Sequence, residues 1–305
     1  MADNWYEQKQ DNSLGYYLMF KCLKILPSFF FRFFAIFVGF FYWTFSSGAR
    51  KFSKQYFSNL GRRGSSLKHI VCFAINLVED VQAWAGKLNF SNVTWQDDDV
   101  KDLVETIDSG HGAVLLISHL GNAQMLKGLA SIGESGTKRK MSITTISDAN
   151  ISKGFNSLLN QVNEDSSFHI VNSNDIGPET IILLQERLEN GEVIVIAGDR
   201  VSAHTDRNIG IEFLGKKANF PYGVFLLVSL LNAPTYFVNG LRHRDFSLGA
   251  KYDMFVKKNK IGFDCGRKER EVRIQKSAEN YAQNLEDLCR NHPYQWYNFF
   301  DFWGE

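Results

Sequence analysis

Polar and charged side chains directly follow two of the apolar runs in this sequence. They are His119, Gly121 and Asn122 after the run Ala113–Ser118, and Asp199 and Arg200 after the run Val193–Ala197. In open α/β sheets, ligands bind in the crevice at the carboxyl ends of the strands. If both runs are strands of one such sheet, these side chains lie where a substrate binds.

His119 is the residue in this set that best suits proton transfer. A neutral imidazole can accept a proton near pH 7, because its ordinary pKa lies close to that value. A helix is predicted to begin just after Gly121 and Asn122, so we expect backbone N–H groups around Gly121 to Ala123 to stabilise an oxyanion. The alternative is that His119 is a core residue whose polar atoms are satisfied internally.

Arg200 has two interpretations of equal weight. A guanidinium at a strand end suits a phosphate of a lipid headgroup or of a carrier's phosphopantetheine arm. Alternatively, Arg200 pairs with Asp199 and holds a loop. Elsewhere, Gly210–Lys217 imitates a phosphate-binding loop but lacks the Ser or Thr that binds magnesium. The sequence therefore predicts no nucleotide site, and it predicts neither a metal nor another cofactor.

Apolar runs and helical patterns alternate after Asp97 and must position these residues. Strands are predicted at Ala113–Ser118, Ser142–Ile146, Phe168–Val171, Val193–Ala197 and Thr235–Val238. Helices are predicted at Ala123–Ile132, Ile151–Val162, Pro178–Asn190, Pro221–Asn232 and Glu271–Arg290. This alternation predicts the α/β fold class, with a mainly parallel sheet flanked by helices. We expect one large domain over residues 51–305.

The N-terminal segment, residues 1–50, differs from the rest in composition. The run Phe29–Phe45 is almost wholly aromatic or aliphatic, and basic residues without acidic ones follow it as far as Val78. A spanning helix needs roughly 20 apolar residues, and the uninterrupted run is shorter. A single spanning anchor is therefore the marginal alternative, and we expect instead a membrane-associating helix that lies in the interface of an anionic leaflet. A hydrophobic core helix under a basic surface is the alternative.

The charge balance and the cysteines exclude other classes. The chain has 34 Lys and Arg against 33 Asp and Glu, for a net charge of +1, so no overall field attracts nucleic acid. The four cysteines lie far apart without a C-x-x-C pair. That spacing favours reduced thiols in a cytosolic compartment over a disulfide framework or a zinc site.

Three blocks of sequence carry a resemblance to a known family. The block Ser118–Gln124 resembles the H-x-x-x-x-D/E motif of the glycerolipid and lipid A acyltransferases. Ala197–Arg200, followed by Phe213–Gly223, is similar to the second conserved region of the lipid A late acyltransferases, within the lysophospholipid acyltransferase superfamily. His292–Trp303 is similar to the closing segment of relatives encoded beside aryl-polyene, fatty-acid-like or aminoacyl-carrier genes. The blocks stand in the family's order, and the resemblance extends from the N-terminal hydrophobic segment to the C-terminus.

The resemblance implies that His119 is the catalytic base, but one position departs from the family's pattern. Where the family has a carboxylate, this chain has Gln124, which can orient the imidazole but supplies no charge. His119 would then be a weaker base unless another acid stands nearby, and Asp199 is the candidate. The catalytic set is thus His119, Gln124 and Asp199, and Gly121, Asn122 and Arg200 are expected to bind substrate.

The function that the resemblance implies is acyl transfer at the cytoplasmic face of a bacterial inner membrane. The donor is expected to be a thioester of acyl carrier protein or coenzyme A, and the acceptor a hydroxyl of a glycolipid such as lipid A. Residues 51–305 would form the acyltransferase domain. Two rivals stay open. One is transfer of an aminoacyl group, such as glycyl, from a carrier protein to lipid A. The other is a non-catalytic lipid-binding family member, which Gln124 motivates.

Overall fold

A computed structural model describes residues 28–84, 93–97, 99–123, 137–139, 141–147, 168–201, 207–246 and 251–304. Its α-helices are α1 (Ser28–Phe45), α2 (Ser47–Asn59), α3 (Ser66–Trp84), α4 (Asp99–Asp108), α5 (Pro178–Glu189), α6 (Tyr222–Leu231) and α7 (Arg267–Asn291). Its strands are β1 (Val93–Trp95), β2 (Ala113–Ile117), β3 (Ile143–Ser147), β4 (Phe168–Asn172), β5 (Val193–Ala197), β6 (Asn208–Phe213), β7 (Lys216–Pro221), β8 (Thr235–Arg242) and β9 (Tyr252–Lys258).

Seven of these strands form one sheet, in the order β1-β9-β8-β2-β5-β3-β4. Neighbouring strands are parallel except β8 and β9, which pair antiparallel. Strands β2 and β5 lie side by side in the middle of the sheet. The predicted α/β fold with a mainly parallel sheet is confirmed.

Both faces of the sheet are buried, which explains the continuous apolar runs of the central strands. All five residues of β2 are buried. Leu116 packs into a core with α6 and α7, whereas its neighbours Leu115 and Ile117 pack on the opposite face with Leu103 of α4. Successive side chains of a strand point to opposite faces, so each central strand contributes to two cores.

The predicted strands and three of the predicted helices are present within a few residues. The helices expected at 123–132 and 151–162 lie, apart from Ala123, outside the described residues. Pro221 ends β7 instead of entering the helix that follows. The segment Gly210–Lys217 belongs to the β6–β7 hairpin, a second, two-stranded sheet that was not predicted.

The aromatic run forms α1, which packs on α3 along a narrow face. Phe31 and Ala35 are buried against Ala74, Ile75 and Val78. Arg32, also buried, lies 3.5 Å from the buried carboxylate of Glu79. Most of the other described side chains of α1 are exposed, with Phe33, Phe37 and Phe41 between 56% and 64% accessible.

Among the described residues, no single helix has the length and apolar composition needed to cross a bilayer. Phe30–Phe45 and Ser47–Asn59 meet those criteria together, but they are bent by 96° at the break between them.

Candidate active site

The register of β2 and β5 sets the relative positions of His119 and Asp199. Ile117 at the end of β2 pairs with Ala197 at the end of β5. His119 and Asp199 each lie two residues beyond that pair, so equal steps past two parallel strands bring them to the same edge of the sheet. Gly198 continues the pairing, because its N–H donates to the carbonyl of Ile117 at 3.0 Å.

The two side chains are in direct contact. Oδ1 of Asp199 lies 2.8 Å from Nδ1 of His119, and Oδ2 accepts a hydrogen bond of 2.8 Å from the backbone N–H of His119. Asp199 is 1% exposed, whereas the imidazole is 36% exposed. A carboxylate is an acceptor only, so Nδ1 carries the proton and Nε2 presents its lone pair. Nε2 makes no hydrogen bond to the part of the chain that the structure describes.

The local electrostatics favour a neutral imidazole beside an ionised carboxylate. Burial lowers the pKa of His119, and the charge of Arg200 lowers it further, against the opposing effect of Asp199. Burial alone would raise the pKa of Asp199, but the charge and hydrogen bonds of His119, together with Arg200, bring it to about 2. At neutral pH this pair has the charge state of a general base held by a carboxylate.

Arg200 faces the C-terminal part of the chain. Its Nη2 donates to the carbonyl of Tyr297 at 3.1 Å, and its guanidinium lies 5.5 Å from the ring centre of Phe300. Burial lowers the pKa of Arg200 to about 10, partly offset by Asp199. These contacts show that Arg200 supports the segment around Tyr297. Binding of a phosphate by Arg200 stays a prediction.

Two of the backbone N–H groups that were expected to stabilise an oxyanion, those of Gly121 and Asn122, are engaged within the protein. The N–H of Gly121 donates to the carbonyl of Gln295 at 2.8 Å, and the N–H of Asn122 donates to the carbonyl of Gly240 at 2.7 Å. Both donors are engaged by the protein and do not face an oxyanion. Gly121 has a φ of +75°, and a Cβ there would lie 2.2 Å from the carbonyl oxygen of Gly240. The two residues thus fix the loop that carries His119, and whether they also bind substrate stays a prediction.

Gln124, the residue at the family's carboxylate position, lies outside the described residues. Among the described residues, the imidazole of His119 makes its hydrogen bond with Asp199. The expectation that Asp199 stands close enough to supply the missing charge is therefore met in geometry.

Sequence reasoning missed the closing segment as part of the site. The indole N–H of Trp296 donates to Oδ2 of Asp199 at 3.2 Å, and the backbone N–H of Tyr297 donates to the carbonyl of His119 at 3.1 Å. Trp296 is also fully buried. A buried indole N–H normally finds an acceptor, and this rule is the signal that could have linked Trp296 to a buried carboxylate.

The described residues contain no group of three or more His, Cys, Asp or Glu side chains arranged to hold a metal ion. The chemistry that the described groups can perform is proton transfer by His119, oriented and charge-stabilised by Asp199.

Comparison with protein families finds a match over most of the chain. The model of a family described as bacterial lipid A biosynthesis acyltransferase matches residues 73–304. That range contains both strand ends and the closing segment. A search of curated proteins found no match.

Proposed function

Because the chain belongs to the bacterial lipid A biosynthesis acyltransferase family, we propose that it transfers an acyl group from a thioester to a hydroxyl of a membrane glycolipid. The proposed donor is a thioester of acyl carrier protein or of coenzyme A, and the proposed acceptor is lipid A or a related glycolipid. The observation that carries this proposal is the contact between His119 and Asp199 at the carboxyl edge of the sheet. The family itself supports the class of reaction, acyl transfer.

In the proposed mechanism, Nε2 of His119 takes the proton of the acceptor hydroxyl while the hydroxyl oxygen forms a bond to the thioester carbonyl carbon. The carbon–sulfur bond then breaks, and the leaving thiolate takes the proton from the imidazolium. Asp199 accepts the Nδ1–H hydrogen bond throughout, which keeps the ring oriented and stabilises its positive charge. The step needs no covalent enzyme intermediate.

The oxyanion requires a partner other than the N–H groups of Gly121 and Asn122, since both are engaged. The positive charge of Arg200 acts on His119 strongly enough to lower its pKa. A charge at that position also stabilises an oxyanion that forms beside the imidazole. We assign part of the oxyanion stabilisation to Arg200.

The proposed location is the cytoplasmic face of the inner membrane, with α1 lying in the interface. The exposed aromatic side chains of α1 support this, because large exposed apolar patches mark surfaces that bind a membrane or another protein. Exposed basic residues that follow, including Lys51, Lys54 and Lys68, suit anionic headgroups.

The structure favours point substitution over deletion as the test of this location. Deleting residues 1–45 would remove Arg32 from the buried carboxylate of Glu79. A loss of membrane binding could then result from misfolding and not from the loss of the anchor. Replacing the exposed Phe33, Phe37 and Phe41 by Ser leaves that contact intact. We expect this variant to stay folded but to lose binding to anionic vesicles. The matched control replaces Ile182 and Leu183, exposed apolar residues of α5. Vesicle binding that survives in the Phe variant would contradict the location of α1.

The reaction is tested with the purified chain in detergent, a lipid A precursor with free hydroxyls, and three donors: fatty acyl carrier protein, fatty acyl coenzyme A and glycyl carrier protein. Mass spectrometry of the lipid identifies both the transferred group and the acceptor. Transfer of a fatty acyl group supports the proposal, whereas transfer of glycine alone would establish the aminoacyl rival. No transfer from any donor would support a non-catalytic role.

A further inference from the structure

Asn298 has a buried side chain that the protein leaves without hydrogen bonds. The residue is 4% exposed, and neither Nδ2 nor Oδ1 has a partner in the part of the chain that the structure describes. Its backbone, in contrast, is paired, because the N–H donates to the carbonyl of Trp296 at 2.9 Å. Buried polar side chains nearly always have a partner, and leaving one unpaired costs free energy. An amide with both ends unpaired therefore requires an explanation.

The neighbours of Asn298 place it beside the candidate active site. On one side of the segment, Trp296 contacts Asp199 and Phe300 lies under the guanidinium of Arg200. On the opposite side, Tyr297 and Phe299 pack against Phe73 of α3. We infer from this alternation that the Asn298 side chain lies on the side of Trp296 and Phe300.

The backbone next to Asn298 is tied to the same residues. The N–H of Tyr297 donates to the backbone carbonyl of His119, and the carbonyl of Tyr297 accepts a hydrogen bond from the guanidinium of Arg200. One residue thus separates the unpaired amide from both of these contacts.

We propose that the Asn298 side chain binds the hydroxyl-bearing part of the acyl acceptor. The inference rests on the proposed function and adds a specificity-determining residue to it. A hydroxyl both donates and accepts, so it can satisfy Oδ1 and Nδ2 together, whereas a thioester carbonyl oxygen only accepts. The unpaired amide thus matches the acceptor better than the donor. Because the amide is covered in the free chain, acceptor entry must shift its neighbours, as is common when partners bind.

The substitution Asn298→Leu separates this role from a structural one, because the two predict opposite effects on stability. Leu has a similar size and removes both unpaired atoms, so the melting temperature of the free protein should stay the same or rise. A site built to bind a hydroxyl group should lose the ability to select it. We expect kcat/KM for a lipid A precursor to fall at least about tenfold, through a higher KM for the precursor but not for the dodecanoyl thioester of acyl carrier protein.

Thr145→Val is the matched control. Thr145 of β3 is 5% exposed, and its Oγ1 is also unpaired within the described part of the chain. Val removes that hydroxyl at nearly constant volume, so stability should stay the same or rise while transfer stays normal.

Three results would count against the inference or its basis. A lower melting temperature for Asn298→Leu, with both KM values raised, would make Asn298 structural and overturn the inference. Normal transfer by Asn298→Leu, alongside active wild-type protein, would overturn the inference alone. Wild-type protein that transfers nothing would overturn the proposed function, and the inference with it.

Discussion

Two histidines, His119 and His69, meet the same closing segment but lie in different environments. His69 of α3 is 0% exposed, with Nδ1 3.0 Å from Oγ of Ser53 and Nε2 2.8 Å from the carbonyl of Trp296. His119 is partly exposed and has a carboxylate on one nitrogen. Access and a charged partner, not the residue type, thus separate a candidate base from a core histidine.

The two environments also differ in how they affect the pKa of the imidazole. Burial lowers the pKa of His69 to about 4, and the hydrogen bond to Trp296 offsets this only in part. The pKa of His119 is lowered too, but Asp199 opposes the effect, so a positive imidazole can be stabilised there during a reaction. His69 is therefore suited to holding α2 and α3 against the closing segment.

The largest expected effect comes from removing the candidate base. We expect His119→Ala to lower acyl transfer at least about 100-fold, the usual scale for a positioned general base. The fold should be retained, since the imidazole is partly exposed. Turnover with a lipid A precursor, with circular dichroism as the control for folding, checks this. Near-normal turnover would mean that His119, like His69, is a structural residue and not the catalytic base.

Removing the charge beside His119 should have the next largest effect on transfer. Asp199→Asn keeps the shape but removes the carboxylate that raises the pKa of His119. We expect turnover to fall at least about tenfold, with the acidic limb of the kcat/KM profile moved to lower pH. An unshifted profile would mean that Asp199 does not act through the imidazole.

The His69→Gln variant should affect stability far more than chemistry. The folded pKa of His69 lies below its unfolded value of 6.5, so the unfolded chain binds the extra proton and stability falls as the pH drops toward 4. That linkage amounts to roughly 3 kcal/mol over this range. We expect the variant to have a lower free energy of unfolding than wild type at pH 7. Between pH 6.5 and 4.5, the variant should lose less of that free energy than wild type does. Urea unfolding at several pH values measures both, and an equal acid loss in the two proteins would contradict the assignment.

The smallest expected effect concerns Gln124. A glutamate there would restore the family's charge near His119 and favour the imidazolium, so the acidic limb of the activity profile should move to higher pH. Because Asp199 already supplies a carboxylate, turnover should change little. If Gln124→Glu changed neither turnover nor the pH profile of activity, and Gln124→Ala also changed neither, Gln124 would not belong to the site.

The contact between His119 and Asp199 could be predicted because each of its parts is local in sequence. Continuous apolar runs identify buried parallel strands, and residues just past such strands meet at one edge of the sheet. The hairpin β6–β7 could not be predicted in the same way. Its strands alternate buried residues with Gly210, Glu212 and exposed lysines, a pattern that is weak over six residues.

The partners of Gly121 and Asn122 could not be read from the sequence either. Their N–H groups would be free at the start of a helix, but Gln295 and Gly240, from distant parts of the chain, supply carbonyls to them. Trp296 reaches Asp199 by the same kind of long-range packing. Tertiary contacts thus decide which backbone donors remain for a substrate.

The pairing of His119 with Asp199 is tested most directly by the double variant His119→Ala with Asp199→Asn, measured against each single variant for turnover with the same donor and acceptor. If Asp199 works only through the imidazole, removing its charge matters little once His119 is gone. We expect the double variant to be no slower than His119→Ala alone. If the fold-losses in turnover of the two single variants multiply in the double variant, the two residues act independently. That result would contradict the proposal that Asp199 acts through His119.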